Sequence, residues 1–345
     1  MKTEQELPGP LLNVNVFGDF VADPLLAKKI RSSGFDCVLC EPFHRFVSEA
    51  KLNIFNLESP LTAAVNPAKK AGPTLRGDDV LLEAIKQDGS WLATLANNHM
   101  MDFGVGGLRD TEGALERHGI DYVGASSSGG ASSHCIRKVV DGVEVSIVNV
   151  AEQEFGVVKP GQAGVQMEDA VQLYYWIAEE KRNSDLVILI VHGGSEYFAL
   201  PSPQRKKRAR LYIDFGADAV IYHHTHVVSA FEEYEGKPIF YGLGNFLFDR
   251  PGSALEWNTG MVARLSISGP EKKVRGEPGY FRYVPGSGVC LLERPELDEM
   301  VAKVAALNEV LGDDCKLEEA WEQFCEKRRQ GVLRLSNLIP RWQGF

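Results

Sequence analysis

Apolar segments with strand-like character alternate along this chain with segments of helical periodicity, and several of the apolar segments carry no polar face. "SDLVILIVHGGSE" is apolar throughout before its polar end, whereas "DDVLLEAIKQDG" and "EDAVQLYYWIAEEKR" have the spacing of amphipathic helices. Strands without a polar face are typical of sheets that are covered on both sides. The alternation therefore predicts an α/β fold built on largely parallel strands.

The pattern changes near Arg294, after which "LDEMVAKVAALNEVL" and "LEEAWEQFCEKRRQGVLRL" are helical without intervening strands. We therefore predict one main domain over residues 11–293 and a C-terminal helical extension over residues 294–345. No internal repeat or long linker divides the main domain.

The balance of charge narrows the classes of binding partner. The chain of 345 residues is 44% hydrophobic and 24% charged, with a formal net charge of -10. Nucleic acids and anionic membranes are bound by basic faces, so we predict neither as a partner. The basic run "RKKRAR", residues 205–210, is predicted to be a solvated helix face.

Neither the first residues of the chain nor its cysteines predict an oxidising or membrane environment. The first residues, "MKTEQELPGP", form no apolar targeting segment, which predicts a cytoplasmic location and no membrane segment. Cys37 and Cys40 form an isolated C-x-x-C in apolar surroundings. Buried thiols are the expected interpretation of this pair, and a redox pair is the alternative.

Polar side chains follow one apolar strand after another. Asp19, Glu58 and Asn98 end three such segments, and histidines end two more. Loops at the carboxyl ends of strands are where α/β folds place their sites, and carboxylate, amide and imidazole groups bind borderline divalent metals. A lone strand-end Asp is often a helix N-cap, but the repetition favours a shared metal centre. The predicted ligands are Asp19, Glu58, Asn98, His192, His224 and His226.

Six motifs, in order, resemble the CapA family of capsule or poly-γ-glutamate biosynthesis proteins: "GDF", "NLESPLT", "ANNHMMDFG", "VHGGSEY", "DFGADAVIYHHTHVV" and "YGLGNFLFD". That family is related to the calcineurin-like metallophosphoesterases. The resemblance extends from about Asn13 to Asp249. It implies a four-layer α-β-β-α sandwich with a metal site at one end of its two sheets, and the C-terminal helices lie outside it.

The resemblance also implies how the ligands are shared between one or two divalent ions, Mn, Zn or Fe. Asp19 and His226 would hold the first metal, and Glu58 would contact both. The second metal would be held by Asn98, His192 and His224. Where the wider superfamily has a second ligand two residues after the first aspartate, this chain has Val21. We therefore expect the first site to be the weaker one, unless His223 or Asp23 replaces the missing ligand.

Two residues beside the ligands are predicted to be catalytic. By similarity, His99 faces the substrate as a general acid or as a donor to a developing oxyanion. Asp102, three residues later, would orient the His99 ring. Asn97 is expected to form the turn that precedes them.

The remaining candidates lie at the expected mouth of the site. Glu196 and Tyr197 follow the predicted ligand His192. They are predicted either to bind substrate or to contact the metal ligands from outside. Asn245, after Gly244, would donate to substrate or hold a tight turn. Glu152 and Glu154 would line the pocket or stand on a solvated loop, and His223 would be only a neighbour of the ligands.

Two functions of different classes follow from these residues. The first is a metal-dependent hydrolase in which a metal-activated water attacks a phosphoester or a γ-glutamyl-type amide. The second is a non-catalytic accessory protein of polymer synthesis or export, in which the metal site is structural or binds the polymer. The spare imidazole of His99 favours the hydrolase.

Overall fold

A computed structural model describes residues 12–35, 38–87, 89–129, 134–158, 162–250, 253–269 and 272–338. The strands are β1 (Leu12–Phe20), β2 (Leu52–Leu57), β3 (Trp91–Thr94), β4 (Asp121–Val123), β5 (Ala125–Ser126), β6 (Cys135–Val140), β7 (Val143–Ala151), β8 (Val157–Val158), β9 (Gly164–Gln166), β10 (Leu186–His192), β11 (Ala219–His223), β12 (Phe231–Tyr234), β13 (Lys237–Phe240), β14 (Asn245–Leu247), β15 (Thr259–Ser268), β16 (Lys273–Val284) and β17 (Gly288–Leu291). The helices are α1 (Pro24–Ser33), α2 (Glu41–Ser48), α3 (Val80–Ile85), α4 (Gly104–His118), α5 (Ala170–Asn183), α6 (Pro203–Asp214), α7 (Glu296–Gly312) and α8 (Asp314–Leu338). Cys37 lies outside the described residues, so the expectation for the C-x-x-C pair is not tested.

Two large sheets organise these strands. The first has the order β17-β16-β15-β1-β2-β3-β4, with β14 pairing with β1, and the second has the order β12-β13-β11-β10-β7-β6. Strands β1 to β4 are parallel to one another, as are β7, β10, β11 and β13. Parallel neighbours place their carboxyl ends at one edge of a sheet, which positions the loops that follow them.

Apolar side chains fill the space between the sheets and both outer faces. Val14 and Ile54 from the first sheet and Ile147 and Ile188 from the second belong to one buried cluster. A second cluster lies between the first sheet and α1–α4, and a third lies between the second sheet, α5 and α6. The predicted four-layer α-β-β-α sandwich is confirmed. Strand β10 is buried along its whole length, which explains why its sequence has no polar face.

The C-terminal helices pack on the sandwich. Val304 and Leu311 of α7 and Leu317 of α8 are each about 1% exposed. The division of the chain at residue 294 remains a prediction, but the helices after it share an apolar core with the second sheet. Within the described ranges, no helix is both long and apolar enough to cross a bilayer.

The expectation of a solvated face for residues 205–210 is wrong for two of its basic residues. Arg205 and Lys206 are buried. Arg205 forms ion pairs of 2.9 Å with Glu168 and 2.6 Å with Glu152, and Lys206 donates to the carbonyl of Leu311 at 2.7 Å. These acceptors come from distant segments, and a buried guanidinium or ammonium is tolerated because it is paired.

Candidate metal centre

The carboxyl ends of the parallel strands bring the predicted ligands together. Asp19 is the penultimate residue of β1, Glu58 directly follows β2, and His192 is the last residue of β10. His224 and His226 follow β11. Two groups of side chains have mutually close ligand atoms, one of Glu58, His192 and His224 and one of Asp19, Glu58 and His226.

The first of these groups surrounds the ring of His192. Its Nε2 lies 3.2 Å from Oδ1 of Asn98, 3.1 Å from Nδ1 of His224 and 3.7 Å from Oε1 of Glu58. Ligands of a tetrahedral zinc ion with bonds of about 2.1 Å are about 3.4 Å apart. The three distances from Nε2 of His192 are therefore compatible with ligands of a single divalent ion.

The second group surrounds the ring of His226. Its Nδ1 lies 3.3 Å from Oδ2 of Asp19 and its Nε2 lies 3.8 Å from Oε1 of Glu58. Oδ1 of Asn245 is 2.9 Å from the same Nδ1, and the Asn245 amide donates to the carbonyl of Trp257 at 2.9 Å. Because Oε1 of Glu58 faces both His192 and His226, one carboxylate connects the two groups.

Glu58 supplies the test of whether these residues fit a metal. It is completely buried, and within the described chain neither of its carboxylate oxygens has a hydrogen-bond partner. Leaving a buried polar group unsatisfied costs about 1–3 kcal/mol, and more when the group is charged. A divalent cation between the imidazoles would satisfy this carboxylate, so the residues fit a divalent metal.

Electrostatic coupling within the centre shifts the pKa values of its groups in opposite directions. Burial, followed by the charge of Asp19, raises the pKa of Glu58 well above its ordinary value. Burial also opposes ionisation of Asp19, but the hydrogen bond and charge of His226 hold the pKa of Asp19 below its ordinary value. Burial and then the neighbouring His224 lower the pKa of His192, which favours the neutral imidazole that binds metals.

The backbone is strained at the same place. His224 and His226 have φ angles of 84° and 56°, and Tyr197 has a φ angle of 64°. Residues other than glycine adopt this left-handed region at a cost of about 1–3 kcal/mol each, and such residues cluster at functional sites. The surrounding sheets hold these residues in a conformation that places both imidazoles beside Glu58.

His99 is placed beside the ligands but outside both ligand groups. Its Nδ1 lies 2.8 Å from Oδ2 of Asp102, and that oxygen also accepts the backbone N–H of Leu75 at 2.6 Å. Lys70 forms an ion pair with Asp102, and its Nζ is 3.2 Å from Nδ1 of His99. Both of these contacts involve Nδ1, which leaves Nε2 as the other ring nitrogen.

The turn before His99 is built by Asn97. Its Oδ1 accepts the N–H groups of His99 at 3.1 Å and Met100 at 2.9 Å, and its Nδ2 donates to the carbonyl of Leu57 at 2.8 Å. The fully buried Asn97 side chain therefore has the predicted turn-forming role.

The other candidates occupy different positions around the centre. Oε1 of Glu154 lies 3.6 Å from Nε2 of His224, whereas Glu152 accepts the N–H of Gly194 and pairs with a buried arginine. Asp23 caps α1 by accepting two backbone N–H groups. The buried His223 belongs to neither ligand group.

Asn56 and Lys70 are among the residues at the site that sequence reasoning missed. Nδ2 of Asn56 donates to Oδ1 of Asp19 at 2.8 Å and lies 3.2 Å from Nδ1 of His192. Asn56 stands two residues before Glu58 on the same strand-like segment, and residues two apart on a strand point to the same face. This spacing could have identified Asn56 from the sequence. Lys70 gives no such signal, because it lies in an irregular segment with no periodicity.

Comparisons with known proteins identify the family. The sequence profile described as "Bacterial capsule synthesis protein PGA_cap" matches residues 13–250. The chain belongs to this family. It is 33% identical over 186 residues to the capsule biosynthesis protein CapA of Bacillus anthracis, a match that covers 51% of this chain and 44% of the relative. It is 31% identical over 248 residues to the PGA biosynthesis protein CapA of Bacillus subtilis, covering 70% of this chain and 64% of that protein.

A solved structure agrees with the fold. The crystal structure of a hypothetical protein from Thermus thermophilus superposes with a TM-score of 0.50 at 19% identity, covering 79% of this chain and 99% of that one. The matched part of the chain spans 44% and 64% of the two Bacillus relatives. Helices α7 and α8 lie beyond the residues that the family profile matches.

Proposed function

We propose that the protein is a metal-dependent hydrolase that acts on a phosphoester or a γ-glutamyl-type amide. The observation that supports catalysis most directly is the placement of His99. Its imidazole stands beside Asn98 and outside both ligand groups, and Asp102 fixes it through Nδ1. A purely structural metal site has no need of an additional, oriented imidazole.

The ligands would divide between two positions that share Glu58. Asn98, His192 and His224 would complete one position, and Asp19 and His226 the other. Divalent ions such as Mn, Zn or Fe in these positions lower the pKa of water and polarise the oxygen of a scissile group.

The protein's own groups perform the proton transfer. Asp102 accepts a hydrogen bond from Nδ1 of His99, which leaves the proton to be donated on Nε2 when the ring is charged. His99 would give this proton to the leaving group or donate a hydrogen bond to a developing oxyanion. Lys70 holds Asp102 and the backbone carbonyl of Asn98, so the ring and the adjacent ligand keep their separation.

The names of the relatives favour the amide substrate. The Bacillus proteins are named for capsule and PGA biosynthesis, which points to γ-glutamyl material as the substrate class. The phosphoester comes from the resemblance to the wider superfamily, and the ligand set suits either electrophile.

A second candidate function is supported by another relative. The chain is 31% identical over 216 residues to a Mycobacterium tuberculosis protein described as a "Probable polyglutamine synthesis accessory protein", covering 58% of this chain and 56% of that protein. In this alternative the protein would not be catalytic, and its metal centre would be structural or would bind the polymer.

The experiment compares wild type with His99→Gln after loading with Mn or Zn. Bis-p-nitrophenyl phosphate and γ-glutamyl-p-nitroanilide report the two reactions, and elemental analysis reports metal content. We expect unchanged metal content and a rate that falls about 10²- to 10⁴-fold in the variant. Loss of metal together with rate would make His99 a ligand, and wild-type protein inactive on both reporters would favour the accessory function.

A further inference from the structure

Three aromatic rings form a cluster at the edge of the candidate metal centre. Measured between centroids, the ring of His226 lies 4.9 Å from that of Trp257 and 6.3 Å from that of Tyr197, and the rings of Trp257 and Tyr197 lie 6.1 Å apart. Tyr197 is 51% exposed, although it is held in the left-handed backbone region. Trp257 is fixed by its Nε1, which donates to the carbonyl of Phe248 at 2.9 Å. The cluster is therefore held in place at Trp257 and open to solvent at Tyr197.

Two arginines lie over these rings. The guanidinium of Arg250 is 5.1 Å from the centroid of Trp257, and that of Arg328 is 6.0 Å from the centroid of Tyr197. Arg328 also donates to the backbone carbonyl of Glu196 at 3.1 Å. Among the described residues, neither guanidinium has a carboxylate within 4.0 Å, unlike Arg329, which pairs with Glu326 at 2.8 Å.

An open depression of about 370 Å³ lies beside this cluster. Its lining includes Tyr197, Trp257, Arg250 and Val227, the residue after the candidate ligand His226. Tyr197 and Trp257, which contact the His226 ring, thus form the side of the depression nearest the candidate metal centre, and Arg328 lies over the ring of Tyr197. A substrate bound at the metal centre could place a second group in it.

The charges around the depression select a particular kind of group. Glu256 lines it and Glu196 precedes Tyr197, so the two arginines balance the local acidic charge without creating a broad positive field. Guanidinium groups bind planar carboxylates or phosphates by paired hydrogen bonds, and stacking on aromatic faces holds the fork in place. Recognition would rest on this directed contact, in a protein whose net charge of -10 repels anions at long range.

We propose that the depression is an anion subsite in which Arg250 and Arg328 bind a carboxylate or phosphate group of the substrate, away from the scissile bond. The proposal rests on the proposed function, because it describes a second part of the same site. Arg328 belongs to α8, beyond the residues 13–250 that the family profile matches. The C-terminal helix thus contributes a specificity-determining residue to the site.

The test measures binding by metal-free protein, so that it does not depend on turnover. Full-length wild type, Arg328→Gln and Arg250→Gln are titrated calorimetrically with γ-glutamyl-glutamate, with glycerol 3-phosphate and with the triamide of the dipeptide, which has no carboxylate. Arg329→Gln is the matched control, because it removes the same charge from the next position of the same helix. The two test arginines lie on separate segments, so one variant remains informative if the other does not fold.

We expect an anionic probe to bind wild type and Arg329→Gln alike, and to bind each test variant about tenfold more weakly. The triamide should not distinguish these proteins. Binding of the dipeptide alone identifies a carboxylate subsite, and binding of the phosphate alone identifies a phosphate subsite. Equal binding by all four proteins, or no binding of either anionic probe to wild type, would overturn the proposal. Because turnover is measured separately, an inactive protein that still shows this binding pattern would refute the hydrolase and keep the subsite.

Discussion

Replacing Glu58 by glutamine should stabilise the metal-free protein. The buried Glu58 carboxyl group has no hydrogen-bond partner among the described residues, and the charge of Asp19 acts against its ionisation. Glutamine has nearly the same shape, carries no charge, and its amide group can donate or accept a hydrogen bond at His192, whose Nε2 atom lies 3.7 Å from Oε1. Pairing a buried group that is otherwise unsatisfied is worth about 1–3 kcal/mol, so we expect a gain of about 1 kcal/mol or more.

Added metal should reverse this order of stability. An ion present at a hundred times its dissociation constant stabilises the folded wild type by about 2.7 kcal/mol. With an unfolding entropy of about 2.1 cal/mol/K per residue, a chain of 345 residues gains about 1.4 °C in Tm for each kcal/mol. Differential scanning calorimetry should therefore show the wild-type Tm rising by about 4 °C on addition of Mn, and the Glu58→Gln value changing by less than about 1 °C.

Glu180→Gln is the matched control, because it changes a buried glutamate that already has partners. Glu180 accepts hydrogen bonds from Arg137 at 2.7 and 2.9 Å and from Ser146 at 2.5 Å. Removing the charge of Glu180 should lower the free energy of unfolding by about 2 kcal/mol. This is less than for a fully buried ion pair, because the Arg137 side chain is half exposed. The loss should be the same with and without metal. The reasoning about Glu58 is refuted if Glu58→Gln destabilises the metal-free protein as Glu180→Gln does, or if both variants respond to metal like wild type.

Three further results are expected. Burial alone would raise the pKa of Glu180, but the hydrogen bond from Arg137 outweighs it and lowers this pKa from 4.5 to about 2. The pair therefore stabilises the fold above pH 4.5. Urea unfolding should show that contribution disappearing as the pH falls from 4.5 towards 2, and a pH dependence unchanged in Glu180→Gln would contradict it. Lys70→Met should lower the free energy of unfolding by about 3 kcal/mol, because it removes the ion-pair partner of Oδ1 of the buried Asp102. The exposed neighbour Lys69→Met should have little effect, and equal urea midpoints for the two variants would refute this. Calorimetric titration of metal-free protein should show two unequal binding steps, with His192→Ala removing the tighter one and Asp19→Ala the weaker one, and two equally tight steps would contradict this order.

Much of the fold follows from local patterns. The wholly apolar sequence of β10 predicts a strand covered on both faces, and the structure places it inside the second sheet. The burial of Arg205 and Lys206 could not be predicted in the same way, because their partners Glu152, Glu168 and Leu311 lie far away in the chain. A basic run has the same local sequence whether solvent or distant carboxylates surround it.

The part of the candidate site whose residues lie at strand ends could be predicted from the sequence. Parallel strands bring Asp19, Glu58 and His192 to one region, so their convergence follows from the order of elements. Lys70 was not predictable, since its contacts with His99 and Asp102 depend on the path of an irregular segment. Arg328 was missed for a related reason, because only the packing of α8 brings it to Tyr197.

Anomalous X-ray diffraction from crystals of metal-loaded protein tests the central claim most directly. Data collected on both sides of the Mn or Zn absorption edge locate the ion without reference to activity. The proposed centre predicts a strong anomalous peak bounded by Glu58, His192, His224 and Asn98, with a second and weaker peak beside Asp19 and His226. A fully loaded crystal whose only anomalous peaks lie away from Glu58 would contradict the metal centre on which the proposed function depends.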